Sequence, residues 1–171
     1  MNVEELYVSS IKKLKVVLPK LVLFLGMIYL VWNIAEYFLI PFVEGINIGE
    51  IEVKKVLSLF VIGIVIAFFL SSLYETKKFA ESLAGILLFH LGEKSDGIRY
   101  RKIRNSLSFL LFSIPFLLFF LTTSNWLENL WPLSLIVFST GISAWIIFSL
   151  FLFSLTITSE IRITEEKKKK K

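Results

Sequence analysis

Four long apolar segments dominate the pattern of hydrophobic and polar positions along this chain. They cover residues 21–43, 56–73, 107–123 and 131–157, and polar or charged stretches separate them. A helix rises about 1.5 Å per residue, so roughly 17–25 apolar residues cross a hydrocarbon layer about 30 Å thick. The pattern predicts an all-α fold: an integral membrane four-helix transmembrane bundle whose membrane domain spans residues 21–157.

The first 20 residues show a different pattern, in which apolar side chains recur at helical spacing among charged ones. The apolar positions are Val3, Leu6, Tyr7, Ile11, Leu14 and Leu18. We expect Pro19 to end this helix, because an internal proline removes a backbone hydrogen bond. The segment 1–20 is therefore predicted to be an amphipathic helix on the membrane surface. The alternative is a plain cytosolic extension of the first span.

The polar segments between the spans carry three further predictions. The central basic loop, residues 74–106, has apolar positions at helical spacing followed by Gly92, which predicts a cytoplasmic interfacial helix. Those positions are Phe79, Leu83, Ile86, Leu87 and Leu91. Residues 44–55 are expected to dip into the interface or to form a short extended turn. A short turn around Asn125 and Glu128 would make spans three and four antiparallel neighbours.

Composition and charge support membrane insertion and suggest an orientation. The chain is 56% hydrophobic and has a mean hydropathy of +0.75, whereas soluble domains are roughly 45–50% apolar. Of its 19 Lys and Arg residues, 17 lie in the N-terminal segment, the central loop or the charged tail, residues 158–171. Lys54 and Lys55 are the exceptions. Since cytoplasmic loops are rich in Lys and Arg, we predict a multi-pass cell-membrane protein with both termini in the cytoplasm.

The residues that usually carry catalysis are scarce. The chain has no cysteine and one histidine, His90, so it offers neither a thiolate site nor a cluster of histidine ligands. It also lacks an HExxH sequence, a P-loop and a TVGYG selectivity filter. We therefore expect no enzymatic activity, no catalytic residue, no metal and no cofactor.

One face of the first span is polar. Glu36 is the only acidic residue in a predicted span, and it shares a helical face with Tyr29, Asn33 and Tyr37. A charged group is costly in lipid, so this face could turn towards the bundle or a wet cavity. The alternative places Glu36 in the outer interfacial belt, where aromatic and polar side chains collect.

Two other sets of residues are candidates for contacts. Gly63, Ala67 and Ser71 recur every four residues in span two and form a stripe of small side chains, which predicts close helix packing within the chain or between copies. A basic cluster precedes span three and is expected to contact anionic lipid headgroups. Its members are Arg99, Arg101, Lys102 and Arg104. Nucleic acid is not an expected partner, because this cluster lies against a negatively charged membrane.

The sequence thus favours a non-enzymatic helix-packing subunit or scaffold. Its expected partners are the lipid bilayer, anionic lipid headgroups and either a second copy or another membrane protein. The alternative is a small oligomeric channel or transporter that uses the Asn33/Glu36 face of span one.

Overall fold

The computed structural model of the protein describes residues 3–48, 51–91, 97–130 and 132–169, and almost all of them are helical. The elements are α1 (Val3–Ile34), a π-helical turn (Ala35–Leu39), α2 (Ile40–Phe42), β1 (Asn47–Ile48), β2 (Ile51–Glu52), α3 (Val53–His90), α4 (Gly97–Leu111), α5 (Ser113–Leu130) and α6 (Pro132–Lys169). Four helical stretches are long and apolar enough to cross a membrane. The prediction of a helical fold with four apolar spans is confirmed.

Three of the helices are much longer than a membrane is thick. The 32 residues of α1 and the 38 residues each of α3 and α6 correspond to about 48 and 57 Å, against roughly 30 Å of hydrocarbon. The excess lengths of these three helices lie with the start of α4 at one end of the bundle. We call this part the basic end and define it as residues 3–20, 74–91, 97–106 and 158–169.

The predicted helix break at Pro19 is wrong. Pro19 lies inside α1, which runs without interruption from Val3 to Ile34. An internal proline costs about 3 kcal/mol, but Val17 and Leu21 on either side of it are buried, and this packing holds the helix together. The backbone of residues 3–20 therefore follows the alternative interpretation, an extension of the first span.

The predicted interfacial helix is not a separate element. Residues 77–90 continue α3 directly, and Gly92 lies outside the described residues. Leu83, Leu87 and Leu91 are partly buried against the core of the basic end. No proline interrupts the sequence from residue 53 to residue 90, so the helix continues beyond the apolar segment.

The interior contains two separate apolar clusters. One joins the apolar halves of α1 and α3 around Ile28 and Val65, with Leu118 and Phe119 of α5 packed against it. The other lies in the basic end and at its border with the apolar segment 107–123, and its buried members are Leu6, Ala80, Ala84, Leu88, Ile103 and Leu107. Hydrophobic burial drives helices together in water but not in lipid. The four helices thus have a second apolar core apart from the one between their apolar halves.

Helices α5 and α6 are antiparallel neighbours, as predicted. Phe120 stacks on Phe138 with ring centroids 5.4 Å apart, and Phe116 lies 5.6 Å from the ring of Trp145. The predicted turn is misplaced, however, because residues 125–130 belong to α5. Trp131, with which span four was predicted to begin, lies outside the described residues.

The connection between spans one and two is a small hairpin, which agrees with the predicted short extended turn. Strands β1 and β2 pair antiparallel, with Asn47 opposite Glu52, and Gly45 supplies a φ of 83° before them. Lys54 Nζ lies 2.7 Å from Glu44 Oε1. This hydrogen bond, together with the positive charge of Lys54, lowers the pKa of the exposed Glu44 carboxyl.

Candidate functional sites

Glu36 lies in the π-helical turn of the first span. The Ile40 N–H bonds the carbonyl of Ala35, five residues earlier, and Pro41 follows, whose ring disfavours regular α geometry at the preceding turn. Glu36 is partly exposed, and its Oε2 accepts a hydrogen bond of 2.9 Å from Nε1 of the buried Trp32. The carboxylate thus lies at the edge of the apolar cluster, held by an indole.

The other members of this polar face point outward. Tyr29 and Tyr37 are 58% and 67% exposed, and Asn33 Nδ2 donates to the Tyr29 carbonyl of its own helix at 2.7 Å. The residues of the first span that are buried at this level are Ile28, Trp32 and Ala35. The predicted polar face therefore lies on the surface of the first span rather than between the helices.

The small-residue stripe of span two also lies on the surface. Gly63 and Ala67 are exposed, and apart from the neighbouring residues and the backbone of its own helix no described atom lies within 4 Å of the point where a Cβ would be added to Gly63. The Ser71 hydroxyl donates to the Ala67 carbonyl at 2.9 Å. The stripe does not form a close contact within the described chain, and contact with a second copy stays a prediction.

Two helices approach each other closely at Gly85 instead, in the basic end. A Cβ at this position would overlap Oγ of Ser10 and lie 3.1 Å from its Cβ. Both residues are buried. Gly85 therefore has a packing role that sequence analysis missed, although a glycine inside an otherwise strong helical pattern is a signal for it.

Helix α4 distributes the basic cluster before span three over its exposed and buried faces. Arg101 and Lys102 are exposed on α4, and Arg104 is partly buried. The Arg104 guanidinium donates through Nη2 and Nε to the Asn105 side-chain oxygen at 3.0 and 3.3 Å. These three cations remain candidates for headgroup contact.

Arg99 lies on the opposite face of α4 and does not share this exposure. Its side chain is 10% exposed, and its Nε lies 3.2 Å from Oε2 of Glu160, whose side chain is 3% exposed. Arg99 and the buried Ile103 are four residues apart on one helical face. We therefore assign Arg99 to a buried ion pair between α4 and α6 and correct its assignment as a lipid contact.

Glu75 is a second buried charge that sequence analysis did not single out. Its side chain is 6% exposed, and Oε1 accepts a bond of 2.9 Å from Lys78. Neither Oε2 of Glu75 nor the buried Ser106 hydroxyl has a hydrogen-bond partner among the described residues. The spacing of Ser72, Glu75 and Thr76, three and four residues apart, places them on one helical face and could have indicated a shared polar surface in the sequence. In the structure all three are buried.

Comparisons with known proteins add no functional assignment. No family model, no curated protein and no solved structure matches this chain. The four apolar helices support its assignment as a membrane protein.

Proposed function

We propose that this chain is a non-enzymatic, multi-pass membrane protein that acts as a helix-packing subunit or scaffold. One observation carries the proposal: the basic end has its own apolar core, built from α1, α3 and α4. Four helices that only anchored a chain in lipid would not need it. The basic end forms a projecting, packed surface on which a partner can dock.

The polar groups buried near this core also support a structural role. The hydroxyls of Ser72, Thr76 and Ser82 donate to carbonyls of their own helix at 2.7–3.1 Å, and Arg99 pairs with Glu160 across two helices. An active site would be expected to direct polar groups into a shared concave pocket. These hydroxyls instead bond the backbone of their own helix, and the ion pair joins two helices.

The proposal places the basic end in the cytoplasm, and this orientation has a direct test. We expect a single cysteine at Lys102 to react with an impermeant thiol reagent only from the inside, and one at Asn47 only from the outside. Both side chains are exposed, and the chain has no native cysteine that would give background. Labelling of position 102 from outside intact cells would contradict the orientation.

Glu36 separates the scaffold from the channel or transporter alternative. We expect Glu36→Gln to leave ion flux in proteoliposomes unchanged. It should also change the free energy of unfolding by no more than about 0.5 kcal/mol, as for most exposed substitutions. The reason is that Glu36 lies on the partly exposed side of α1, and glutamine can still accept the Trp32 hydrogen bond. Flux should be measured between pH 5 and 8.

Glu36→Leu, which cannot accept that hydrogen bond, is the comparison variant. If Glu36→Leu loses stability and Glu36→Gln does not, the role of Glu36 is to accept the hydrogen bond from Trp32. A pH-sensitive flux that the wild type shows and Glu36→Gln loses would overturn the scaffold in favour of a transporter.

A further inference from the structure

A groove between α3 and α4 combines cationic and aromatic side chains where the basic end meets the apolar spans. Its volume of about 390 Å³ falls within the range of roughly 300–1,000 Å³ that ligand pockets occupy. Its lining residues are Lys77, Arg104, Asn105, Ser108, Phe109 and Phe112. None of these six is acidic.

The polar half of the groove is suited to an anion. A guanidinium has five N–H donors, so Arg104 can bind another acceptor while it holds the Asn105 oxygen. That bond also orients the guanidinium. Lys77 is exposed on α3 and supplies a second cation from the neighbouring helix. Two converging cations beside amide and hydroxyl groups are a recurrent way of binding phosphate.

The apolar half is rigid and lies at the depth of the spans. Phe109 stacks on Trp145 of α6 with centroids 4.6 Å apart, and Trp145 Nε1 donates to the Phe109 carbonyl at 3.0 Å. Phe109 and Phe112 belong to the apolar segment 107–123, whereas Lys77 and Arg104 lie outside the segments 56–73 and 107–123. The groove thus changes from cationic to aromatic in the direction in which a phospholipid changes from headgroup to acyl chain.

We propose that this groove binds one anionic phospholipid. Lys77 and Arg104 contact the phosphate, Asn105 and Ser108 contribute hydrogen bonds, and the acyl chain lies against Phe109 and Phe112. A free phosphate would use only the polar half. The site differs from diffuse attraction to a basic surface, because Arg101 and Lys102 do not line it. The inference rests on membrane insertion of the chain and does not depend on the scaffold role.

The test counts lipids bound to the full chain in detergent micelles at physiological ionic strength, by native mass spectrometry. The probe is phosphatidylglycerol, with zwitterionic phosphatidylcholine as the comparison. We expect one phosphatidylglycerol per chain, bound more tightly than phosphatidylcholine. Since a charge-assisted contact with phosphate exceeds the neutral hydrogen bond that glutamine can make by about 1 kcal/mol, the double variant Lys77→Gln/Arg104→Gln should weaken binding roughly thirtyfold.

The matched control is Arg101→Gln/Lys102→Gln, which removes the same charge from exposed positions of the same end. We expect it to weaken binding by no more than about threefold, because a micelle has no anionic surface potential. Equal weakening by the two double variants would show diffuse attraction and overturn the site. If the groove variant does not fold, the exposed single variant Lys77→Gln replaces it, with an expected weakening of about fivefold.

A second arm separates a lipid from a soluble anion. Glycerophosphoglycerol, which is deacylated phosphatidylglycerol, carries the same phosphodiester without acyl chains, so it should compete only weakly with the lipid. Phe112→Ala should weaken lipid binding and leave glycerophosphoglycerol binding unchanged. If glycerophosphoglycerol binds as tightly as the lipid, the occupant is a soluble phosphate compound and the lipid assignment fails.

Discussion

Removing Glu160 is expected to destabilise the protein by about 3–5 kcal/mol, the usual cost of breaking a buried ion pair by removing one of its partners. In Glu160→Leu the guanidinium of Arg99, which is 10% exposed, loses the carboxylate oxygen that lies 3.2 Å from its Nε. The measurement is the free energy of unfolding in mixed micelles, from a denaturant titration followed by Trp fluorescence. Arg99→Met should give a loss of similar size, since it removes the cation of the same buried pair.

The double variant Arg99→Met/Glu160→Leu should be more stable than either single variant. Replacing both charges of a buried pair by apolar groups is often neutral or stabilising, and the resulting non-additivity measures the coupling of α4 to α6. Arg101→Met, on the exposed face of the same helix, is the control and should change stability by less than about 0.5 kcal/mol. Additive losses in the two single variants would contradict a direct ion pair.

Leucine at Gly85 is expected to destabilise the protein by roughly 1–3 kcal/mol, the usual cost of overpacking a tight contact. The first added carbon would already overlap the Ser10 hydroxyl, so α1 and α3 would have to separate. The matched variant is Gly63→Leu in the same helix, where no atom of another described helix lies within 4 Å of a new Cβ. It should be neutral or stabilising by up to about 1 kcal/mol, through helix propensity alone. Thermal unfolding in detergent compares the two.

An exchange of side chains across the contact provides the control. Gly85→Ala should lose less stability when combined with Ser10→Gly, because the second change removes the atoms that the new methyl group would meet. Equal effects of leucine at positions 63 and 85 would show that α1 and α3 do not approach closely at Gly85. If Gly63→Leu instead dissociates an oligomer, the small-residue stripe of span two is a contact between copies.

The number of spans and the grouping of the charged segments could be predicted from the sequence because both follow from local properties. An apolar run of sufficient length becomes a helix in lipid, whose backbone groups have no water to bind. The segments rich in Lys and Arg occur before span one, between spans two and three, and after span four, so they collect at one end of the bundle. Glu36 as the single span carboxylate and the basic run before span three were visible in the same way.

The tertiary structure decided how far each helix continues and which side chains it buries. Pro19 and residues 77–90 could not be placed from local preference, since burial of Leu6, Val17 and Leu88 between α1 and α3 favours continuous helices. Arg99 and Arg101 are both basic residues of one short segment, yet one pairs with Glu160 and the other is exposed. Glu160 is 61 positions away along the chain. Sequence determined the number and polarity of the helices, whereas contacts between distant residues determined which charges are buried and where the groove lies.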